Sequence, residues 1–192
     1  MEKSVYSNGL FEFVETEEEH LVNNNKTTLK RTFVRRSPGI RALIINKDDN
    51  KKILLSKEFR YELDKWDYRL PGGKVFDSLE DYKESLEKGD ILKHVEETVP
   101  KEVLEEVGII VKDKKLIKVS HAGSSVVWDL YYYEIDDYEI SYDGPKLEEN
   151  EFVDGYVWKT YDEIIEMCTK HEINEDRTVG VLLSYILNKK DI

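Results

Sequence analysis

The sequence predicts an α/β domain, and three observations carry that expectation. The first third alternates strand-like runs of β-branched and aromatic residues with turn-forming clusters. The middle and the C-terminal end show helical spacing with cap residues at their borders. At 192 residues, 40% hydrophobic and 36% charged, the chain suits one domain with a sizeable core. No internal repeat or low-complexity linker divides it.

Along the chain, Leu10, Phe11, Phe13 and Val14 form the first apolar run, Asn23-Asn24-Asn25 a turn, and Thr28 to Arg36 a second strand, so residues 9–36 read as paired strands. Ser37-Pro38-Gly39 breaks the pattern before a buried strand from Ile40 to Asn46. Lys47 to Lys51 reads as a hairpin turn into a second core strand, Ile53 to Phe59. From Asp77 to Gly89 the spacing turns helical: Asp77 or Ser78 caps the start, Leu79, Tyr82 and Leu86 share a face, and Gly89 stops it.

A second helix covers Lys101 to Val107. On a wheel of 3.6 residues per turn, Glu102, Glu105 and Glu106 share an arc of roughly 100°, with Val103, Leu104 and Val107 opposite. Pro100 fits only a first turn, so Thr98 or Val99 is expected near the N-cap and the helix begins late or kinks there. Residues 115–135 hold strands whose tyrosines, Tyr131 to Tyr133, alternate across a sheet as packing groups. Phe152 to Trp158 is a further strand, and Thr160 with Glu163 makes a capping box for the helix Tyr161 to Lys170. Asn174 is the expected cap of the last helix, which turns Val181, Leu182, Tyr185 and Ile186 inward.

Charge and composition exclude some functions. A formal net charge of −12 disfavours a nucleic-acid polymer as partner, since that needs a basic patch to displace counterions, but leaves a small nucleotide open. No apolar run approaches the ~20 residues of a membrane span and the N-terminus lacks an apolar signal core, so no membrane partner and a cytoplasmic location are expected. The single cysteine, Cys168, reads as a buried hydrophobe in a reducing compartment.

The acidic helix is where chemistry enters. Carboxylates three and four residues apart repel, so a helix keeps them either because water solvates the face, the commoner outcome, or because a cation neutralises it. Leu70-Pro71-Gly72-Gly73-Lys74 upstream favours the second reading, because backbone without Cβ turns sharply and offers N–H and C=O groups to a phosphate or metal.

Together these segments resemble the Nudix hydrolase box, G-x5-E-x7-R-E-U-x-E-E-x-G-U with U aliphatic, read from Gly73 to Ile109. The second half matches from Glu102 to Ile109, with Lys101 where the family has arginine. The stretch from Lys74 to Pro100 is longer than the family spacing by about 14 residues. The family's first glutamate therefore has no direct counterpart, and Glu80, Asp90 and Glu96 all stay open. Lysine for arginine loses a planar bidentate grip on a carboxylate. Arg36-Ser-Pro-Gly-Ile-Arg-Ala-Leu, then Ile53-Leu-Leu-Ser-Lys-Glu-Phe-Arg60-Tyr, Trp66-Asp-Tyr-Arg-Leu-Pro-Gly-Gly73 and Ile173 to Leu183 are similar to the ADP-ribose pyrophosphatase branch, and the likeness spans roughly residues 28–188.

The resemblance implies a Nudix-type α/β/α sandwich around a mixed β-sheet. Residues 1–36 would form an N-terminal β-strand extension that can dimerise, and 37–192 the catalytic domain with a helical insertion at about 77–92. It implies Mg2+ or Mn2+ held by Glu102, Glu105, Glu106 and the Gly72 carbonyl, with Glu105 serving catalysis as well. A loop glutamate would be the general base, Glu149 first, then Glu148 and Glu151. Arg60, Arg41, Trp66 and Gly73 are the substrate-binding expectations, with Arg69 and Tyr68 weaker. Arg60 reads equally as a surface ion pair, and Trp66 more readily as packing. His121 reads as a structural group. The implied reaction cleaves ADP-ribose or a related sugar nucleotide to AMP and a sugar phosphate, in a homodimer. Another nucleoside triphosphate or dinucleotide, a nucleotide-binding module without turnover, and an acidic domain that binds nothing are the alternatives.

Overall fold

The structure is a computed structural model describing residues 2–147 and 152–190. Among the described residues, three sheets and four helices build it. β1 (Glu2–Ser7), β2 (Phe11–Val22) and β3 (Asn25–Arg36) run antiparallel. Asn23 and Asn24 make their turn at positive φ, a conformation asparagine tolerates better than most residues. β2 and β3 pair from Phe11–Arg36 to Val22–Asn25, a ribbon about 40 Å long at the usual strand rise. Its base is covered and its outer half, from Glu17 to Arg31, is exposed on both faces.

The central sheet is mixed. β4 (Gly39–Ile44) pairs parallel with β9 (Leu130–Ile140), which pairs antiparallel with β7 (Ile109–Ser120). β5 (Lys52–Arg60) sits between β6 (Lys65–Arg69) and β10 (Val153–Thr160) in another sheet. The short β8 (Val126–Val127) adds to β3 in parallel. The expected hairpin at Lys47 to Lys51 is therefore not a paired ladder. Its two strands enter different sheets and meet only at the Ile45–Ile53 bridge, because each finds longer partners elsewhere.

Alternation along β4 and β9 sorts the core into two layers. Ile40, Ala42, Ile44, Tyr133 and Ile135 pack on one side, beneath α2 (Ile91–Val107). Leu43, Leu130 and Tyr132 pack on the other, with α3 (Tyr161–Thr169) and α4 (Asp176–Lys190). Consecutive tyrosines thus serve opposite layers, as their alternation predicts. Cys168 is buried in the second layer.

The helices follow local signals with three corrections. α1 (Leu79–Lys88) has the Ser78 cap and the left-handed Gly89 stop, and Thr160 with Glu163 forms the capping box of α3. α2 instead begins at Ile91, well before Pro100, and carries the proline inside. The carbonyl left without a partner belongs to exposed Glu96, where water can satisfy it. Its packed stripe is Val95, Val99, Val103 and Val107, one residue every fourth, so Leu104 falls off the seam and is exposed. α4 is capped by Glu175, whose carboxylate accepts from the Thr178 N–H, while Asn174 turns to Asp67.

α1 is tied to the N-terminal strands. The Leu79 N–H donates to the Gly9 carbonyl, and Lys83 reaches Glu12, a fully buried carboxylate also bound by Arg35. Among the described residues, no helix is long and apolar enough to cross a membrane.

Candidate active site

The Gly72–Gly73 turn lies against the acidic face of α2. Gly72 adopts φ +143°, and a Cβ there would run into the Ile40 carbonyl; a Cβ on Gly73 would run into the Glu102 carboxylate. Only glycine lets the turn approach so closely. The Gly72 N–H donates to Glu106 Oε2 at 2.6 Å. Arg41, from β4, donates through Nη1 to the carbonyls of Ile40 at 2.9 Å and Gly72 at 2.8 Å, clamping the turn to the central sheet.

Glu106 opens into a cleft of about 240 Å³ lined also by Arg41, Glu58, Arg60, Arg69, Gly72 and Gly73. Burial first, then the neighbouring Glu58 carboxylate, pushes the Glu106 carboxyl up to about 8; the Gly72 N–H and Arg41 pull against this, and Glu102 adds to it. Arg60 reaches Glu62 at 2.8 Å and Glu58 at 3.7 Å, and buried Arg69 reaches Asp67 at 2.6 Å. Arg41, Arg60 and Arg69 thus line the cleft together with the Glu58 and Glu106 carboxylates.

The expected residues divide. Glu102 and Glu106 meet the glycine turn, and Arg41, Arg60, Gly72 and Gly73 line the cleft with Glu106. Glu105, one position from Glu106, does not line it. Trp66 packs edge-on against Phe59 on the strand flank and is likewise outside the cleft lining. Tyr68 packs against the second core layer. His121 binds Asp129 at 2.7 Å on the surface, away from the cleft. Glu148, Glu149 and Glu151 lie outside the described residues.

Two features were missed from sequence. Glu58 enters the cleft from the strand that carries Arg60, two residues away and therefore on the same strand face; that spacing was the available signal. Phe59, Tyr61 and Phe152 form an aromatic rim, with Tyr61 edge-on to both at 5.5 and 5.9 Å. Phe152 arrives from β10's approach, where its carbonyl accepts from the Phe59 N–H, and no local pattern announces that meeting.

The residues fit a magnesium-type ion. Its hard oxygen ligands are here carboxylates and backbone carbonyls, and the turn leaves no room for a side chain between them and Glu102. Among the described residues, no three His, Cys, Asp or Glu side chains stand close enough to cage an ion alone. Magnesium ordinarily takes one or two carboxylates, retains waters and completes its shell from substrate phosphate.

No family model matches the sequence, and no curated protein matches it. Among solved structures the chain is similar to one described as the crystal structure of an ADP compounds hydrolase, at 18% identity and a TM-score of 0.64, over 98% of this chain and 90% of that one. A MutT structure, reported for Aliivibrio salmonicida and Vibrio cholerae, matches 69% of this chain and 85% of its own at 18% identity, with a looser TM-score of 0.45. The fold is therefore the Nudix-type α/β arrangement the sequence led us to expect.

Proposed function

We propose that this chain is a metal-dependent pyrophosphohydrolase that cleaves a nucleoside diphosphate linked to another group, ADP-ribose or a related sugar nucleotide, to AMP and a sugar phosphate. The observation that carries the reading is Glu106, held by the Gly72 N–H inside a cleft that also presents Glu58, Arg41 and Arg60. The fold neighbour described as an ADP compounds hydrolase supports the substrate class.

Glu102 and Glu106 would hold Mg2+, or Mn2+, with turn carbonyls and water completing its shell, while Glu105, the third expected ligand, stays outside the cleft. A bound divalent ion supplies charge neutralisation on the diphosphate and a water of lowered pKa. The chain's own groups do the remaining work. Arg60 sits where it can pair with a phosphate oxygen once released from Glu62, and the aromatic rim offers faces for a base. Arg41 fixes the turn, so that its backbone does not reorganise as charge develops. A glutamate from 148–151 is the proposed base, Glu149 first.

The reading extends to organisation. Residues 1–36 are proposed as a dimerisation extension on a domain of residues 37–192, with the exposed outer ribbon, including Leu21 and Leu29, available to a second copy. A cytoplasmic location agrees with the lone buried cysteine.

The deciding assay measures phosphate-ester products from a panel of diphosphates, with and without Mg2+, on the wild type and Glu106→Gln. Metal-dependent release of AMP from ADP-ribose, abolished in the variant, is expected. Ligand affinity without turnover would instead identify a binding module, and turnover restricted to nucleoside triphosphates would move the substrate class.

A further inference from the structure

Trp128, just before β9, carries two guanidinium groups on its indole. Arg177 Cζ lies 4.1 Å from the ring centroid and Arg36 Cζ 4.3 Å. Arg177 is fixed in place, since its Nε meets Glu175 at 3.1 Å and its Nη1 donates to the Trp128 carbonyl at 2.9 Å. The side chain of Arg36, at the end of β3, has no hydrogen bond or ion pair with any described residue, and the residue is exposed. Arg36 is held below the ordinary guanidinium range by partial burial first, then by Arg177 and Arg41. Three arginines with one carboxylate, Glu175, between them are an unusual concentration of positive charge in a chain of net charge −12. Stacking on one indole offsets only about 0.5–2 kcal/mol per cation.

The stack borders the proposed catalytic turn. The point where a Cβ on Gly39 would stand is 3.0 Å from the Gly73 carbonyl oxygen and 3.9 Å from Trp128 Nε1, so the indole edge and the turn face each other across one backbone position. On its other side the stack opens into a groove of about 570 Å³ between β7 and α4, which begins at Arg177. Lys115 and Lys118 line this groove with no ion-pair partner among the described residues, and Gly180 leaves the helix wall open. Among the charged side chains that line this groove only Glu134 is acidic, and Lys189 and Tyr185 already engage it.

We infer that Arg36 and Arg177, carried on Trp128, form a subsite for a phosphate monoester on one arm of the substrate. The preferred class is then a nucleoside diphosphate derivative bearing a third phosphate. A guanidinium fork matches a phosphate by paired N–H···O bonds, and Arg36 has its fork unused. The inference rests on the hydrolase reading above and narrows it.

Its test compares ADP-ribose, ADP-ribose 2′-phosphate and ADP-ribose 1″-phosphate as substrates of the full chain with Mg2+, and by calorimetry without metal, in the wild type and Arg36→Gln. Since the residue is exposed and its side chain makes no hydrogen bond to a described residue, Arg36→Gln should keep the fold. One phosphorylated compound should exceed ADP-ribose in kcat/KM by at least about 10-fold, and Arg36→Gln should bring that ratio close to one. Equal kcat/KM in the wild type, or a ratio untouched by the substitution, overturns the subsite. If none of the three is hydrolysed, the sugar-nucleotide hydrolase reading falls and calorimetry decides the subsite alone. Tighter binding of a phosphorylated compound that Arg36→Gln abolishes upholds it, and equal or absent binding overturns it.

Discussion

The backbone N–H of Gly72 donates a 2.6 Å hydrogen bond to the Glu106 carboxylate, 34 residues along the chain. That single contact joins the glycine turn to the acidic helix and sets the distance between the site's two halves. Arg41 braces it from the sheet below, through the carbonyl of the same residue, Gly72. Turn, helix and central strand therefore form one rigid frame, and the cleft inherits its shape from that frame.

Glu106→Gln keeps the shape and the acceptor for Gly72 while removing the carboxyl that a divalent ion would hold in its ionised form. Hydrolysis should fall by two orders of magnitude or more, about 3 kcal/mol of transition-state stabilisation, with the melting temperature little changed. Progress curves at saturating Mg2+ check this. Turnover within about three-fold of wild type would remove Glu106 from the ligand set.

Local signals were legible and distant meetings were not. The Thr160–Glu163 box and the Ser78 and Gly89 borders depend on backbone groups within a few residues, so spacing alone reveals them. The placement of Glu106 beside a glycine turn was legible through the box resemblance, which encodes a tertiary contact in a linear pattern. Leu104 was misread because the helix packs along an every-fourth-residue stripe, and a wheel shows which residues share a side but not where a sheet touches it. Phe152 with Tyr61, and Arg36 with Arg177 on Trp128, join elements far apart in sequence; neither partner carries a local sign of the other.

Gly72→Ala tests the turn without touching a charge. The new Cβ meets the Ile40 carbonyl and the residue must hold a φ of +143°, which costs about 1–3 kcal/mol. A fall of roughly 2–4 °C in melting temperature per kcal/mol should follow, together with weakened Mn2+ binding. An unchanged melt and unchanged metal affinity would show that the turn is not held as described.

Arg60→Ala addresses substrate binding. Arg60 is exposed enough that its pairs with Glu58 and Glu62 contribute little to stability, so the fold should tolerate its loss. Loss of a charge-assisted phosphate contact should raise KM by about 10-fold, with kcat less affected. A variant with wild-type KM for ADP-ribose would assign Arg60 to its surface ion pairs alone.

Acid stability depends on Glu12, at the junction of α1 with the N-terminal strands. Burial alone would raise its pKa, yet bonds from Ser4 and Lys83 and the charges of Lys83 and Arg35 outweigh this and hold it below the ordinary glutamate value of 4.5. A carboxylate whose folded pKa is depressed stabilises the fold above its unfolded pKa, and that contribution is lost as pH falls through the folded value. Glu12→Gln should therefore be destabilised near pH 7 by about 3 kcal/mol, since Arg35 loses its buried partner, and the gap to wild type should narrow steadily below pH 4.5. Urea melts of both proteins between pH 3 and 7 measure that gap. If it is the same at both ends of the range, the Glu12 charge is not what joins α1 to the strands.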